Sequence, residues 1–196
     1  MANSRRPADD ESLAAHALHD RQAFAVLYDR YFAPLYNYLR MRCGDAQTAD
    51  DLTALTFERA LRHLANYCPQ RAPFKTWLFT IARNALNDHL RAQRRHPWLS
   101  LEALSRRVLR GADPEERFLH KEQHDQLLAA LQDLRERERD LVALKFAAGL
   151  TNRQIATISG LSESNVAVIV FRALNRLRSK LENRASPGEE NPHERA

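Results

Sequence analysis

The sequence predicts an all-α protein: two small helical domains joined by a flexible linker. Three observations carry that expectation. Apolar residues recur at helical spacing through most of the chain, marking helices with one buried face. Only five of the 196 residues are glycine, which disfavours a turn-rich β fold. A poorly patterned stretch holding Pro97, Gly111 and Pro114 separates two helical regions.

Residues 1–9 read as a disordered N-terminus, and residues 10–95 as the first domain. In its first long helix Phe24, Leu27, Tyr28, Tyr31, Phe32, Leu35 and Leu39 recur at core spacing. Pro34 lies inside that run, so a kink or break is expected there. The next helix spans about Thr48 to Ala65, with Ala49, Leu52, Phe57, Ala60, Leu61 and Leu64 as its core stripe. Its opposite face carries Asp51, Ala54, Leu55, Glu58 and Arg62. Leu55 between acidic neighbours reads as an apolar spot with a charged rim, the make-up of a protein-docking surface. A loop, Asn66–Pro73, follows, and Pro73 is suited to the first position of another helix. In that helix Phe74, Trp77, Leu78, Ile81, Ala82 and Ala85 form the buried stripe, while Arg83, Asn87, Arg91 and Arg94 form a basic row. Such a row suits phosphates and unstacked bases.

Residues 96–114 read as the linker, residues 115–183 as the second domain, and residues 184–196 as a disordered tail. Within the second domain, Gly149–Arg172 reads as two helices joined by a tight turn. Thr151 and Gln154 form a capping box, Gly160 permits a left-handed turn, and Ser162 caps the second helix. Ile155, Ile158, Leu161, Val166 and Val170 supply a small core, and Val166, Val170, Ala173, Leu174 and Leu177 are expected on the inner face of the second helix. This is a helix-turn-helix, whose second helix enters the DNA major groove.

The charge distribution agrees. The formal net charge is +5. Residues 81–110 hold seven arginines against Asp88 and Glu102, and residues 160–184 hold five cations against Glu163 and Glu182. Two basic segments suit two contacts with a polyanion. No stretch reaches the ~20 apolar residues that span a bilayer, so no membrane insertion is expected. The first residues lack an apolar signal core, so a cytoplasmic location is expected. Cys43 and Cys68 lack metal or redox-motif spacing and read as reduced thiols.

Together these segments resemble the extracytoplasmic-function group of bacterial sigma factors. Phe24–Tyr31, Ala49–Phe57 and Phe74–Asn84, with Asp88 and Arg91 beyond, are similar to the family's region two. Leu134–Phe146, the helix-turn-helix and Arg172–Arg178 are similar to region four. The resemblance implies partners: core RNA polymerase, promoter DNA, and an anti-sigma protein that holds the factor inactive. It implies polymerase docking through Asp51, Ala54, Leu55 and Glu58, with Ala54-Leu55 standing where the family usually has Gln-Glu. It implies −10 contacts from Tyr67, Arg83, Asn84, Arg91 and Arg94, with Asn84 at a pocket for a flipped base. It implies −35 contacts from Ser164, Asn165, Val168, Phe171, Arg172 and Arg176. Arg172 bonded to guanine by both arms would contribute roughly 1–3 kcal/mol of discrimination. Ala167, Val168 and Ile169 favour apolar contact over hydrogen bonds on this helix. The linker, with Arg106, Arg107 and Arg110, reads either as part of the polymerase's RNA path or as a plain tether.

A helix-turn-helix regulator acting without polymerase is the alternative. It predicts a dimerisation seam, which the sequence lacks, and leaves the acidic-apolar docking helix unexplained. An enzyme is not expected: Asp50 and Asp51 are adjacent and point to different faces, and the histidines show no ligand spacing. No cofactor or metal is expected.

Overall fold

The computed structural model describes residues 9–95 and 126–185. The linker reading over 96–114 and both disordered termini therefore lie outside the described residues, apart from Asp9 and the last turn up to residue 185. Helix α1 is Asp10–His16, α2 Arg21–Cys43, α3 Ala46–His63 and α4 Phe74–Arg95. A helical segment over 126–132 leads into α5, Glu136–Phe146; α6, Asn152–Ser159, and α7, Glu163–Ala185, follow. The described residues are helical and include no strand.

Local chemistry sets the boundaries. Asp9, Asp20 and Asp45 each accept a backbone N–H of the helix they precede, satisfying a donor left unpaired in the first turn. Gly44 ends α2 at φ 74°, a left-handed conformation that only glycine adopts without strain. Pro34 does not break α2, which continues nine residues beyond it. Its missing N–H costs one ladder bond, and burial of Leu27, Tyr31, Leu35, Tyr38 and Leu39 on the same helix offsets that loss.

The core of α2 is narrower than the sequence implied. Leu27, Tyr31, Leu35 and Leu39 are buried, but Tyr28 and Phe32 are exposed. They belong to the neighbouring ridge Phe24–Tyr28–Phe32–Tyr36, where each ring lies one turn from the next. That ridge leans on Phe57 of α3, with the Tyr28 and Phe57 centroids 4.5 Å apart. In α3, Leu61 was expected in the core and is 53% exposed. Thr53 and Thr56 are buried instead, their hydroxyls donating to the carbonyls of Ala49 and Leu52 at 2.7 Å each. A threonine satisfied this way buries its methyl group at little cost.

Helix α4 is covered on two sides. Phe74, Leu78, Ala82 and Ala85 are buried as expected, while Trp77 and Ile81 are half-buried. Phe79 and Leu86 are also fully buried, with Phe79 edge-on to Tyr38 at 5.7 Å. The second half of the chain explains the wider buried arc: α5 packs on α2, and α6 packs on α4. One apolar cluster runs from Leu13 and Leu27 through Leu78 to Leu144, Ile155 and Val166. A second joins Leu128, Leu131, Leu134 and Val142 to Ala173 and Leu177. Read from sequence as independently tethered, the two halves pack directly against one another. No single described helix is long and apolar enough to cross a membrane.

Candidate nucleic-acid and polymerase interface

The outward face of α3 presents Asp51, Ala54 and Glu58. Asp51 accepts from the Gln47 amide at 3.2 Å, and Glu58 pairs with Arg62. Leu55, expected to be the exposed apolar spot, is half-buried and packs on the core. Leu61 takes that place. It lies seven residues after Ala54 and three after Glu58, one turn beyond Phe57 and the aromatic ridge of α2. The helix-spacing rule allowed either leucine outward; packing against α2 and α4 decides between them.

At the start of α4, Tyr67 is partly buried against Phe74 and Trp77, with centroids 5.6 and 5.1 Å away, and its hydroxyl donates to the Ala72 carbonyl at 3.2 Å. Burial, with Glu11 and Asp10 nearby, pushes its phenol up to about 12. The ring thus shapes the loop and is not a free stacking surface. Asn84 and Arg91 are exposed on α4, with Arg91 3.6 Å from Asp88. Arg83 and Arg94 are engaged elsewhere. Arg83 Nε donates to Asp140 Oδ2 at 2.7 Å, and its Nη1 donates to the Ile158 carbonyl at 3.2 Å. Arg94 pairs with Glu136.

These contacts belong to an ion network that sequence reasoning missed. Asp140, buried on α5, accepts from the Tyr38 hydroxyl at 2.9 Å and lies 3.0 Å from Arg42 Nε. Arg42 is among the largest fully buried side chains and also donates to the Glu136 carbonyl at 3.3 Å. Burial and then Asp140 raise the Tyr38 phenol well above its ordinary value, so it stays a donor. Burial opposes the charge on Arg83, but Asp140 outweighs it and the guanidinium is held above its ordinary value. A sequence signal existed. Tyr38 and Arg42 continue the buried stripe of Leu27, Tyr31 and Leu35, and an arginine on a core stripe asks for a buried anion.

The helix-turn-helix forms as its sequence implied. Thr151 and Gln154 make the capping box, Gly160 is left-handed at φ 72°, and Ser162 Oγ accepts from the Asn165 N–H at 3.3 Å. Ile155, Ile158, Val166, Val170, Ala173 and Leu177 are buried. Leu174, expected on the inner face, is exposed. Outward lie Ser164, Asn165, Val168, Phe171 and Arg172, with Val168 45% and Phe171 65% exposed. Arg176 is held by Glu138: its Nη1 reaches both carboxylate oxygens, at 2.7 and 2.6 Å. It ties α7 to α5.

The comparisons with known proteins agree with this architecture. Residues 27–96 match the Sigma-70 region 2 family model and residues 124–177 the Sigma-70 region 4 model. The chain is 34% identical over 184 residues to the ECF RNA polymerase sigma factor BldN of Streptomyces coelicolor, covering 88% of this chain and 68% of BldN. It is 31% identical over 188 residues to the ECF RNA polymerase sigma factor ShbA of Streptomyces griseus, covering 89% of this chain and 98% of ShbA. Two solved structures share the fold. CnrH, in complex with the cytosolic domain of CnrY, superposes with TM-score 0.68 at 24% identity, covering 89% of this chain and 97% of CnrH. RpoE of Bartonella quintana, in complex with the anti-sigma factor NepR, gives 0.65 at 22%, covering 82% and 98%. Two region models in order, with relatives aligned along nearly the whole chain, place the protein in the ECF RNA polymerase sigma factor family.

Proposed function

We propose a division of labour among the helices of this sigma factor, which binds core RNA polymerase and directs promoter-specific initiation. Helix α3 docks on the polymerase through Asp51, Ala54, Glu58 and Leu61. The acidic groups meet cations, and the apolar residues supply a desolvated centre. Helix α4 and the loop before it hold the melted −10 strand, with Asn84 reading a flipped base and Arg91, Arg83 and Arg94 on phosphates. Helix α7 reads the −35 element through Ser164, Asn165, Val168, Phe171 and Arg172. The protein works in the cytoplasm as a non-enzymatic factor, and an anti-sigma protein restrains it, as the complex of RpoE with NepR suggests.

The observation that best supports this reading is the outer face of α7. It carries two exposed apolar side chains beside Arg172, while the opposite side of the helix is buried. Such a face suits thymine methyls beside one guanine. Run-off transcription with purified core polymerase on a genomic fragment library tests it. Discrete start sites that require the protein and lose definition with Arg172→Ala are expected. Equal use of intact and −35-scrambled promoters would refute the α7 assignment.

A further inference from the structure

We propose that Asp140 and Glu136 stand in for promoter phosphates, so that packing of the C-terminal half on the N-terminal half and binding of the −10 strand exclude one another. The inference rests on the assignment of α4 to the −10 strand. All three groups on Asp140 come from the N-terminal half: Tyr38, Arg42 and Arg83. Arg94, 68% exposed, pairs at the rim of this contact with Glu136 of the C-terminal half. Two arginines of the α4 row are therefore occupied by carboxylates of α5. A guanidinium's planar donors fit carboxylate and phosphate alike. Arg83 already gives Nε to Asp140 and Nη1 to the Ile158 carbonyl, and its side chain is only 26% exposed, so a phosphate gains its donors when α5 and α6 move off it.

The contact is built to be exchanged. The two halves share an apolar cluster, and burying charges beside it is costly unless each is paired, so the closed state needs every ionic partner in place. Asp140 meets that demand: its side chain is 5% exposed, Oδ1 faces Tyr38 and Arg42, and Oδ2 faces Arg83. When a phosphate replaces Asp140 on Arg83, the arginine stays paired and the released carboxylate regains water. Two further contacts close with it. Lys75 donates to the Gly149 carbonyl at 2.9 Å, and Arg83 donates to Ile158 in the last turn of α6, where carbonyls lack helical partners. Arg91 lies outside the network and is exposed. It therefore reports DNA contact without reporting closure.

The test uses the full chain, a short fluorescein-labelled single-stranded DNA of mixed sequence, and small-angle scattering. Affinity falls by the fraction of molecules that are open, so releasing a mostly closed population tightens binding. Asp140→Asn is expected to expand the chain and tighten the DNA complex about tenfold. Asp29→Asn, an exposed position on α2 with the same change in charge, is expected to do neither. Arg91→Ala is expected to weaken binding in both the native and Asp140→Asn backgrounds. Asp140→Asn matching Asp29→Asn would overturn the proposal, as would expansion without tighter binding. If Arg91→Ala still weakens binding in that case, the α4 assignment stands and only the exclusion fails. If Arg91→Ala changes nothing, both fall.

Discussion

Replacing Arg176 with alanine separates a structural arginine from a DNA-reading one. Its Nη1 straddles both oxygens of Glu138, and Glu138 Oε2 also accepts the Arg135 N–H that opens α5. The carboxylate is 11% exposed and the guanidinium 45%. A fully exposed pair contributes about 0.2–1 kcal/mol, and losing one partner of a buried pair costs about 3–5 kcal/mol. With one member buried and the other half in water, about 1–2 kcal/mol is expected for Arg176→Ala. At ~2–4 °C per kcal/mol for a chain of this size, the melting midpoint falls by ~2–8 °C. Urea denaturation of the single variants and of the double variant with Glu138→Ala gives the coupling directly. About 1 kcal/mol of coupling is expected for residues in contact. Binding to intact and scrambled −35 duplexes is expected to fall in parallel, because the loss acts through the seating of α7. An unchanged denaturation midpoint with a selective loss of −35 discrimination would refute this reasoning and return Arg176 to the DNA.

Three further outcomes are expected. Leu61→Asp should weaken binding to core polymerase at least fivefold by titration, since burying the exposed half of a leucine contributes about 1 kcal/mol before any cost of burying a charge. The same titration with folded Leu61→Asp showing native affinity would remove the α3 assignment. Arg172→Ala should lower preference for the native −35 duplex by roughly 1–3 kcal/mol without altering polymerase affinity, read by competition binding. Stability should fall as pH drops below about 6.5. Burial lowers the His89 ring below its ordinary value, against the pull of Asp51 and Asp45, and its Nε2 is buried without a partner. The unfolded chain then binds the proton more readily, so stability is present above the unfolded value and is lost as the pH falls from there through the lowered folded value. His89→Gln should flatten that part of a urea-midpoint profile; an unchanged slope would rule His89 out as the cause.

The local geometry of the helix-turn-helix was legible from residues alone. Caps and left-handed turns are local: Thr151, Gln154, Gly160 and Ser162 act within a few residues of themselves, so their chemistry is complete in the sequence. Stripes one turn wide were legible too, as with Leu27, Leu35 and Leu39 or Val166 and Val170. Errors gathered where two adjacent ridges are both apolar. Tyr28 and Phe32 on α2, Leu55 and Leu61 on α3, and Leu174 on α7 could each have faced either way by spacing. Which ridge is inner depends on where the next helix lies.

By itself the sequence determined the long helices, the helix-turn-helix with its caps, and the family, because each follows from near neighbours or from residue order. Only the tertiary structure decided that Arg83 and Arg94 on α4 meet carboxylates of α5. It likewise decided that Arg42 is buried against Asp140, that Arg176 holds Glu138, and that Leu61 rather than Leu55 is the more exposed leucine on α3. An arginine's partner can lie anywhere within reach of its guanidinium, and chain order does not encode that distance until the helices pack.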